Sequence, residues 1–291
     1  MGNKDTSFQK TRPIRLGEKL LDFSRPVIMG ILNLTPDSFF DGGKYSQPDQ
    51  WLLQTRKMLE EGAEIIDLGA MSTRPGAEMI SEEEELARLI PPLKLLKREF
   101  KDTLFSIDTF RSRVAMHCVD EGAQMINDVS GGNFDPLMFA TVAKLKLTYV
   151  LMHMHGMPKV MQKDPISTDV ISKLRSFFEA KVAELHKLGA TDIILDPGFG
   201  FGKTLACNFQ LLRNMEKIRI EQLPILVGVS RKSMINKVLH TQPSEALNGT
   251  TVLHTLSLLH GANLLRVHNV KEAREAVDLV TYYRTEGSCE D

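Results

Sequence analysis

The chain has 291 residues, with 36 Lys+Arg against 37 Asp+Glu, a formal charge of −1 and 42% hydrophobic residues. That composition describes a globular protein with a core large enough to need no staples; it excludes a disordered chain and, for want of a basic excess, a general nucleic-acid binder. It leaves room for a small basic pocket, and length alone leaves one domain or two open.

Residues 1–10 are polar and carry no apolar stretch of the signal-peptide kind. Met1-Gly2 with Thr6 fits the loose myristoylation pattern, but no polybasic second anchor accompanies it, and a chance match is the simpler reading. No apolar run approaches the roughly 18–20 residues that a membrane helix needs. Cys118, Cys207 and Cys289 are odd in number and lack C-x-x-C spacing, which points to a reduced, cytoplasmic chain without a disulfide or zinc framework.

The prefix 11–23 holds a candidate β-hairpin around Leu16-Gly17-Glu18, placed to cap one end of a barrel. Eight short apolar runs then alternate with longer amphipathic segments. The runs are 27–32, 64–68, 104–107, 124–126, 147–152, 192–195, 224–229 and 263–267. They are rich in Ile, Val, Leu or Met, as strands covered on both faces of a parallel sheet are. Spacing predicts helices over 50–61, 81–100, 111–121, 136–144, 168–188, 207–218, 231–239 and 271–284, with an extra helix over 243–260 before the last strand. Ser81-x-x-Glu84 reads as a capping box. The acidic run 82–85 reads as a solvated first turn favoured by the helix dipole. The basic cluster Phe110-Arg111-Ser112-Arg113 reads as solvated surface. Eight strand–helix units predict a TIM (β/α)8 barrel with a short N-terminal β-hairpin: residues 1–23 as lead-in, 24–286 as barrel and 287–291 as tail. A doubly wound open sheet competes, but would require a reversal of strand order.

Polar residues at the C-terminal ends of barrel strands converge on the active site. Here those positions hold Asn33, Asp67, Asp108, Asn127-Asp128, His153, Asp196, Ser230-Arg231-Lys232, Arg266 and His268, with Ser72-Thr73-Arg74-Pro75 following the second run. Arg266 and His268 share one strand face and suit a phosphate-type anion. Buried carboxylates and amides suit a planar ligand with several N–H donors. Together they describe a site for a nitrogen heterocycle carrying a phosphate or pyrophosphate.

Three motifs tempt other readings. The stretch from Gly198 to Thr204 resembles a phosphate loop, but Pro197 stands where the Walker pattern needs its first Gly. A glycine-rich turn that lets a flat ligand approach the backbone fits better. His153-Met154-His155 resembles the H-x-H of metal-dependent barrel hydrolases, but only His268 offers a further ligand. Lys232 could form a Schiff base, yet with Arg231 beside it a charged contact to an anionic ligand is the better reading.

Assembled, these residues resemble the dihydropteroate synthase family, the pterin-binding barrel enzymes of folate synthesis. Gly30-Ile31-Leu32-Asn33-Leu34-Thr35-Pro36-Asp37-Ser38-Phe39 resembles the family's first loop, and Ser72-Thr73-Arg74-Pro75-Gly76-Ala77 its second. Ser106-Ile107-Asp108-Thr109, Ile126-Asn127-Asp128-Val129, the stretch from Asp196 to Thr204, Gly228-Val229-Ser230-Arg231-Lys232-Ser233 and Arg266-Val267-His268 complete an ordered set within residues 10–285. The departures are Asn269 in place of a usual Asp, Ala70-Met71 in place of Gly-Glu or Gly-Gln, and Phe110-Arg111 in place of smaller residues.

The resemblance implies a transferase that condenses 6-hydroxymethyl-7,8-dihydropterin pyrophosphate with p-aminobenzoate, giving 7,8-dihydropteroate and pyrophosphate, a reaction that sulfonamides target. It implies that Asp108, Asn127, Met152, Asp196 and Lys232 hold the pterin. An ionised Asp196 would accept two N–H bonds from the ring's amino-amide edge. Asn33, Thr73, Arg266 and His268 would hold the pyrophosphate, and Asn33 would also ligate Mg²⁺, an ion that takes oxygen ligands beside phosphates. Phe39, Thr73, Arg74, Pro75, Phe201, Lys232 and Ser233 would receive p-aminobenzoate, although Phe39 and Phe201 also read as packing residues. Asp108, Lys232, Arg266 and His268 would be catalytic. Departure of pyrophosphate first would create a cation at the pterin methylene, stabilised by Asp108, while Mg²⁺, Arg266 and His268 stabilise the leaving group. Loops 33–43 and 72–77 would close over the site, and a homodimer is implied. Two other readings share the pterin residues. A methyltetrahydrofolate-dependent methyltransferase would need neither the 72–77 loop nor the Arg266/His268 pair. A non-catalytic pterin-binding subunit would need no leaving-group residues.

Overall fold

The eight apolar runs form eight strands, each parallel to its neighbours, because each run is apolar on both faces and must be covered twice. The computed structural model describes residues 11–35, 46–71, 79–157, 161 and 163–285. In chain order the hairpin strands are β1 (Ile14–Leu16) and β2 (Lys19–Leu21). The barrel strands are β3 (Val27–Asn33), β4 (Ile65–Gly69), β5 (Leu104–Asp108), β6 (Met125–Asp128), β7 (Thr148–Met152), β8 (Ile193–Asp196), β9 (Leu226–Val227) and β10 (Leu264–Val267). Around the sheet the order is β8-β7-β6-β5-β4-β3-β10-β9. The Leu195 N–H donates to Pro224 O at 2.9 Å and joins β8 to the segment entering β9, so the sheet closes on itself. The fold is a TIM barrel, not a doubly wound open sheet.

The helices are α1 (Gln47–Glu60), α2 (Glu82–Glu99), α3 (Ser112–Asp120), α4 (Met138–Leu145), α5 (Val170–Lys187), α6 (Leu205–Arg213), α7 (Ser233–Leu239), α8 (Leu247–Leu259) and α9 (Val270–Thr285). Caps set several starts. Ser46 accepts from the Asp49 N–H, so α1 begins three residues before the predicted one, and Thr204 caps α6 through the Cys207 N–H at 3.2 Å. The predicted helix 207–218 breaks at Asn214 into α6 and a 3-10 turn, Met215–Ile218. The predicted helix 243–260 is a 3-10 turn, Pro243–Glu245, followed by α8. The predicted strand 224–229 shortens to two residues at the closing seam.

Two expectations about charge fail. Glu85 is fully buried and pairs with Arg111, whose guanidinium also donates to Ile80 O at 2.6 Å and lies over the Phe110 ring, 5.0 Å from its centroid. Neither the acidic run nor the basic cluster is therefore wholly solvated surface. The capping box is half made: Ser81 accepts from the Glu84 N–H at 3.1 Å, while the Glu84 carboxylate pairs with Arg88.

Alternation of side chains along each strand sends Ile28, Ile66, Phe105, Ile126 and Leu265 outward, into one large cluster with the helices. The opposite faces point into the barrel. Val27, Met29, Ile65, Leu104, Met125, Val150, Ile194, Leu226 and Leu264 fill its lower part, and the hairpin plugs that end with Ile14, Leu16 and Phe23. Climbing two residues at a time from this apolar floor, the inward face turns polar.

Candidate active site

The polar rim follows from strand register. Asn33 on β3, Gly69 on β4, Asp108 on β5 and Asn127 on β6 are successive ladder partners, so they lie side by side across four strands. Met152 on β7 pairs in the same way with Asp196 on β8. Arg266 lies inward on β10, His268 follows it, and Lys232 sits at the start of α7. At this end of the barrel an open cavity is lined by Asn127, Met152, Asp196, Lys232, Arg266 and His268 together with Ile31, Phe201 and Gly228. A Cβ on Gly69 would stand 3.7 Å from Asp108 Oδ2 and 3.8 Å from Asn33 Oδ1, so the glycine keeps the ground between those two side chains open.

Arg266 is the electrostatic centre. Its Nε donates to Asp67 Oδ2 at 2.7 Å, and its Nη2 reaches Asp67 Oδ2 at 2.6 Å and Asp108 Oδ2 at 2.8 Å. Burial works against the guanidinium charge, but Asp67 and Asp108 outweigh it and hold the pKa above the usual guanidinium range. Burial pushes Asp108 up to about 7; Arg266 opposes the rise, and the like charge of Asp67 adds to it. Burial also raises Asp196, against the Gly198 N–H, which donates to Oδ1 at 2.7 Å, and the nearby charges of Lys232 and Arg266. Lys232 falls to about 8 through burial, with Asp196 pulling the other way, and its Nζ lies 4.0 Å from the centroid of the Phe201 ring. Phe201 thus lines the cavity and packs with Met152, Val129 and Phe110 at once.

His268 is oriented by Ser230. The His268 backbone N–H donates to Ser230 Oγ at 3.3 Å, and Oγ lies 3.0 Å from the ring Nδ1. His268 itself lines the cavity beside Arg266.

Two glycines of the glycine-rich turn are required by the fold itself. A Cβ on Gly198 would meet His153 O at 2.0 Å, and one on Gly202 would meet His155 O at 2.1 Å. Both glycines are required by a neighbouring backbone, and both have positive φ. Lys203 rivets the turn from beneath, its Nζ donating to Gly198 O at 2.8 Å, Phe201 O at 3.1 Å and His153 O at 3.2 Å. Burial lowers Lys203 to about 7.

The structure thus brings together Asp108, Asn127, Met152, Asp196, Phe201, Lys232, Arg266 and His268, with Asn33 on the same rim and Ser233 exposed on the first turn of α7. Phe39, Thr73, Arg74 and Pro75 lie outside the described residues. No group of three or more His, Cys, Asp or Glu side chains capable of holding a metal ion occurs among the described residues, and the His153 ring is buried edge-on against Phe177, 5.0 Å between centroids. The departure Asn269 accepts from Arg231 Nε at 3.1 Å and Nη2 at 2.9 Å. Asp67 and Lys203 carry roles that the sequence reading left unassigned. The signal for Asp67 was its place inside the apolar run 64–68.

The fold and this rim define a barrel enzyme that takes a heterocycle and an anion in one pocket, and comparison with known proteins narrows the class. The profile of the pterin binding enzyme family matches residues 29–268. The dihydropteroate synthase of Synechocystis sp. is 43% identical over 263 residues, covering 89% of this chain and 91% of that one. The Yersinia pestis dihydropteroate synthase, solved as a sulfonamide drug complex, superposes with a TM-score of 0.88 at 40% identity, covering 94% of this chain and all of that one. The Burkholderia cenocepacia dihydropteroate synthase, solved with 7,8-dihydropteroate, gives a TM-score of 0.86 at 33% identity, covering 95% and 98%. The chain belongs to the pterin-binding enzyme family and, within it, to the dihydropteroate synthases, transferases of folate biosynthesis.

Proposed function

We propose that the cavity carries out the condensation of 6-hydroxymethyl-7,8-dihydropterin pyrophosphate with p-aminobenzoate, with roles divided as the charges divide. The observation that carries the reading is the meeting, in one cavity, of the acceptors Asp196 and Asn127 with the cations Arg266 and Lys232. Complexes of relatives with 7,8-dihydropteroate and with a sulfonamide drug support it. Asp196 and Asn127 take the edge of the pterin, Met152 packs against its face, and Lys232 lies across the same ring site. Site groups built to accept N–H bonds in a buried pocket reject analogues lacking them by roughly 10⁴-fold.

Arg266 and His268 hold the pyrophosphate. The C–O bond to pyrophosphate breaks with its electron pair leaving on oxygen, and positive charge develops on the methylene. Asp108, set by Arg266 at 2.8 Å, faces that charge as a preorganised anion. The amine nitrogen of p-aminobenzoate then supplies the pair for the new C–N bond and loses a proton. The segments 33–43 and 72–77, with Phe39, Thr73, Arg74 and Pro75, complete the aminobenzoate site beside Phe201, Lys232 and Ser233.

The donor set fits Mg²⁺ as a companion of the pyrophosphate. Asp67 and Asp108 are already engaged with Arg266, so part of the site's positive charge is offset before a polyanion arrives. Asn33 offers a neutral oxygen at the rim, and phosphate oxygens and water would complete a hard-cation shell. When bound, the ion would neutralise charge on the leaving group.

The chain acts as a homodimer in the cytoplasm. Exposed Val252 and Leu256 on α8 and Leu279, Tyr282 and Tyr283 on α9, two helices packed together, offer an apolar face for a second copy. No described helix is long and apolar enough to cross a membrane. Residues 24–286 form the functional barrel, with 1–23 as lead-in and 287–291 as tail. Mixing the two substrates with Mg²⁺ should release pyrophosphate and form dihydropteroate in equal amounts. No release with both present would overturn the reading.

A further inference from the structure

We propose that Asp67 is a positioning residue of the pyrophosphate and pterin sites, holding the Arg266 guanidinium and the Asn127 amide in the orientations in which they meet substrate. This rests on the reaction assigned above. Asp67 sits in the middle of β4, fully buried, and lies behind the residues that line the cavity. It therefore acts on substrate through others.

Three N–H groups converge on one of its oxygens. Asp67 Oδ2 accepts from Arg266 Nε at 2.7 Å, lies 2.6 Å from Arg266 Nη2, and accepts from Asn127 Nδ2 at 3.1 Å. Its other oxygen, Oδ1, is buried with no hydrogen-bond partner among the described residues. An ionised carboxylate only accepts, so Asn127 must turn its NH₂ toward Asp67. A flipped amide would set oxygen against oxygen. The carbonyl Oδ1 of Asn127 is thereby fixed on the side away from Asp67, as an acceptor for a ligand N–H.

The same logic orders Arg266. Asp67 occupies Nε and shares Nη2 with Asp108. Nη1 has no protein partner among the described residues, and Arg266 lines the cavity. Asp67 therefore turns the unengaged end of the fork toward the anion site, where a planar guanidinium gives paired, directional bonds. A buried ion pair is a poor device for stability, since apolar residues of like size serve as well. Its cost at Asp67 is explained by the two ligand-binding groups it aims.

The test is Asp67→Asn, close in shape and without the charge, checked for folding by circular dichroism and thermal unfolding. Calorimetry with inorganic pyrophosphate reads the anion site without turnover. The expected result is an affinity for pyrophosphate weakened about tenfold or more, and kcat/KM for pterin pyrophosphate reduced about 100-fold. KM for p-aminobenzoate should stay within about threefold, a split that a merely structural role would not produce. The double variant Asp67→Asn/Arg266→Gln should bind pyrophosphate no worse than Arg266→Gln alone. Wild-type pyrophosphate affinity in Asp67→Asn, additive losses in the double variant, or equal loss in every kinetic parameter would overturn the proposal. If Asp67→Asn does not fold, Arg266→Lys decides. One ammonium cannot serve Asp67, Asp108 and pyrophosphate together, so its affinity should fall as far as that of Arg266→Gln, and retention within about threefold would overturn the proposal. A wild-type chain that binds pyrophosphate but forms no dihydropteroate would fail the reaction and leave this result standing.

Discussion

The turn that carries Gly198 gives a prediction whose size can be worked from two glycines. Gly198 has φ +63° and Gly189 has φ +91°, so an alanine at either pays a backbone cost of roughly 1–2 kcal/mol. The surroundings differ. Nothing lies within 4 Å of a Cβ on Gly189, whereas one on Gly198 would stand 2.0 Å from His153 O. Ordinary contact begins near 3.4 Å, so Gly198→Ala must move backbone by about 1 Å or more. That shift strains the bond from the Gly198 N–H to Asp196 Oδ1 and the bond from Lys203 Nζ to Gly198 O. A misplacement of about 1 Å at a binding group can cost about 10²-fold in rate. Gly189→Ala should therefore lower Tm by about 2–5 °C and leave the kinetics of wild type. Gly198→Ala should lower Tm at least as far and reduce kcat/KM for pterin pyrophosphate about 100-fold. Differential scanning calorimetry and initial-rate kinetics on both variants decide the matter. Catalysis within about threefold of wild type in Gly198→Ala, or equal catalytic loss in Gly189→Ala, would refute the reasoning.

Asp108→Asn should lower kcat by about 10²–10³-fold and leave the fold intact, as judged by thermal unfolding. Because burial lifts Asp108 to about 7, lowering the pH through 7 protonates it, so wild-type kcat should fall on the acid side with a limb near pH 7 that a pH–rate profile of Asp108→Asn lacks. Arg111→Ala strands the buried Glu85 carboxylate and should cost about 3–5 kcal/mol in urea unfolding, whereas replacing both partners by Leu should cost less. His254 is buried on α8, and burial, with His268 adding to it, lowers its pKa from 6.5 to about 4. The folded state then binds fewer protons than the unfolded one, so stability is full above pH 6.5 and falls by up to about 3 kcal/mol as pH drops to 4, a loss that His254→Leu should flatten in urea titrations. Calorimetric titration of p-aminobenzoate should give measurable affinity only with pyrophosphate bound, and equal affinity without it would refute that order.

The barrel was legible because its strands are apolar on both faces and its rim residues fall at regular places. Asn33, Asp108, Asn127 and Asp196 each end a strand-forming run, and register alone then sets them together. Partnership was not legible. Arg266 meets Asp67 across 199 residues and Glu85 meets Arg111 across 26, and no local period encodes either pair. Charge clusters at helix starts were misread for the same reason: a first-turn glutamate favours the helix dipole whether it faces water or, as Glu85 does, a guanidinium from the next helix. The glycines at 198 and 202 announced a close approach, but only the fold showed that the approaching group is the backbone after β7.

A rule that could have found Asp67 comes from the inward ladder. A strand covered on both faces hides its period of two in hydropathy, but not in polarity measured downward from the rim. On β8, Ile194 precedes Asp196 by two, and on β6, Met125 precedes Asn127 by two; both lower positions are apolar and join the barrel floor. On β4 the step down from Gly69 lands on Asp67, a charge where β6 and β8 hold apolar residues and its ladder partner on β5 is the neutral Ser106. Asp67 is fully buried, so its carboxylate is not solvated from the surface. Such a residue must be paired, and its partners lie on the walls of the same barrel, at or above its level. Since the walls above are the binding site, an ionisable residue one step below the rim is held there to aim a residue of the rim.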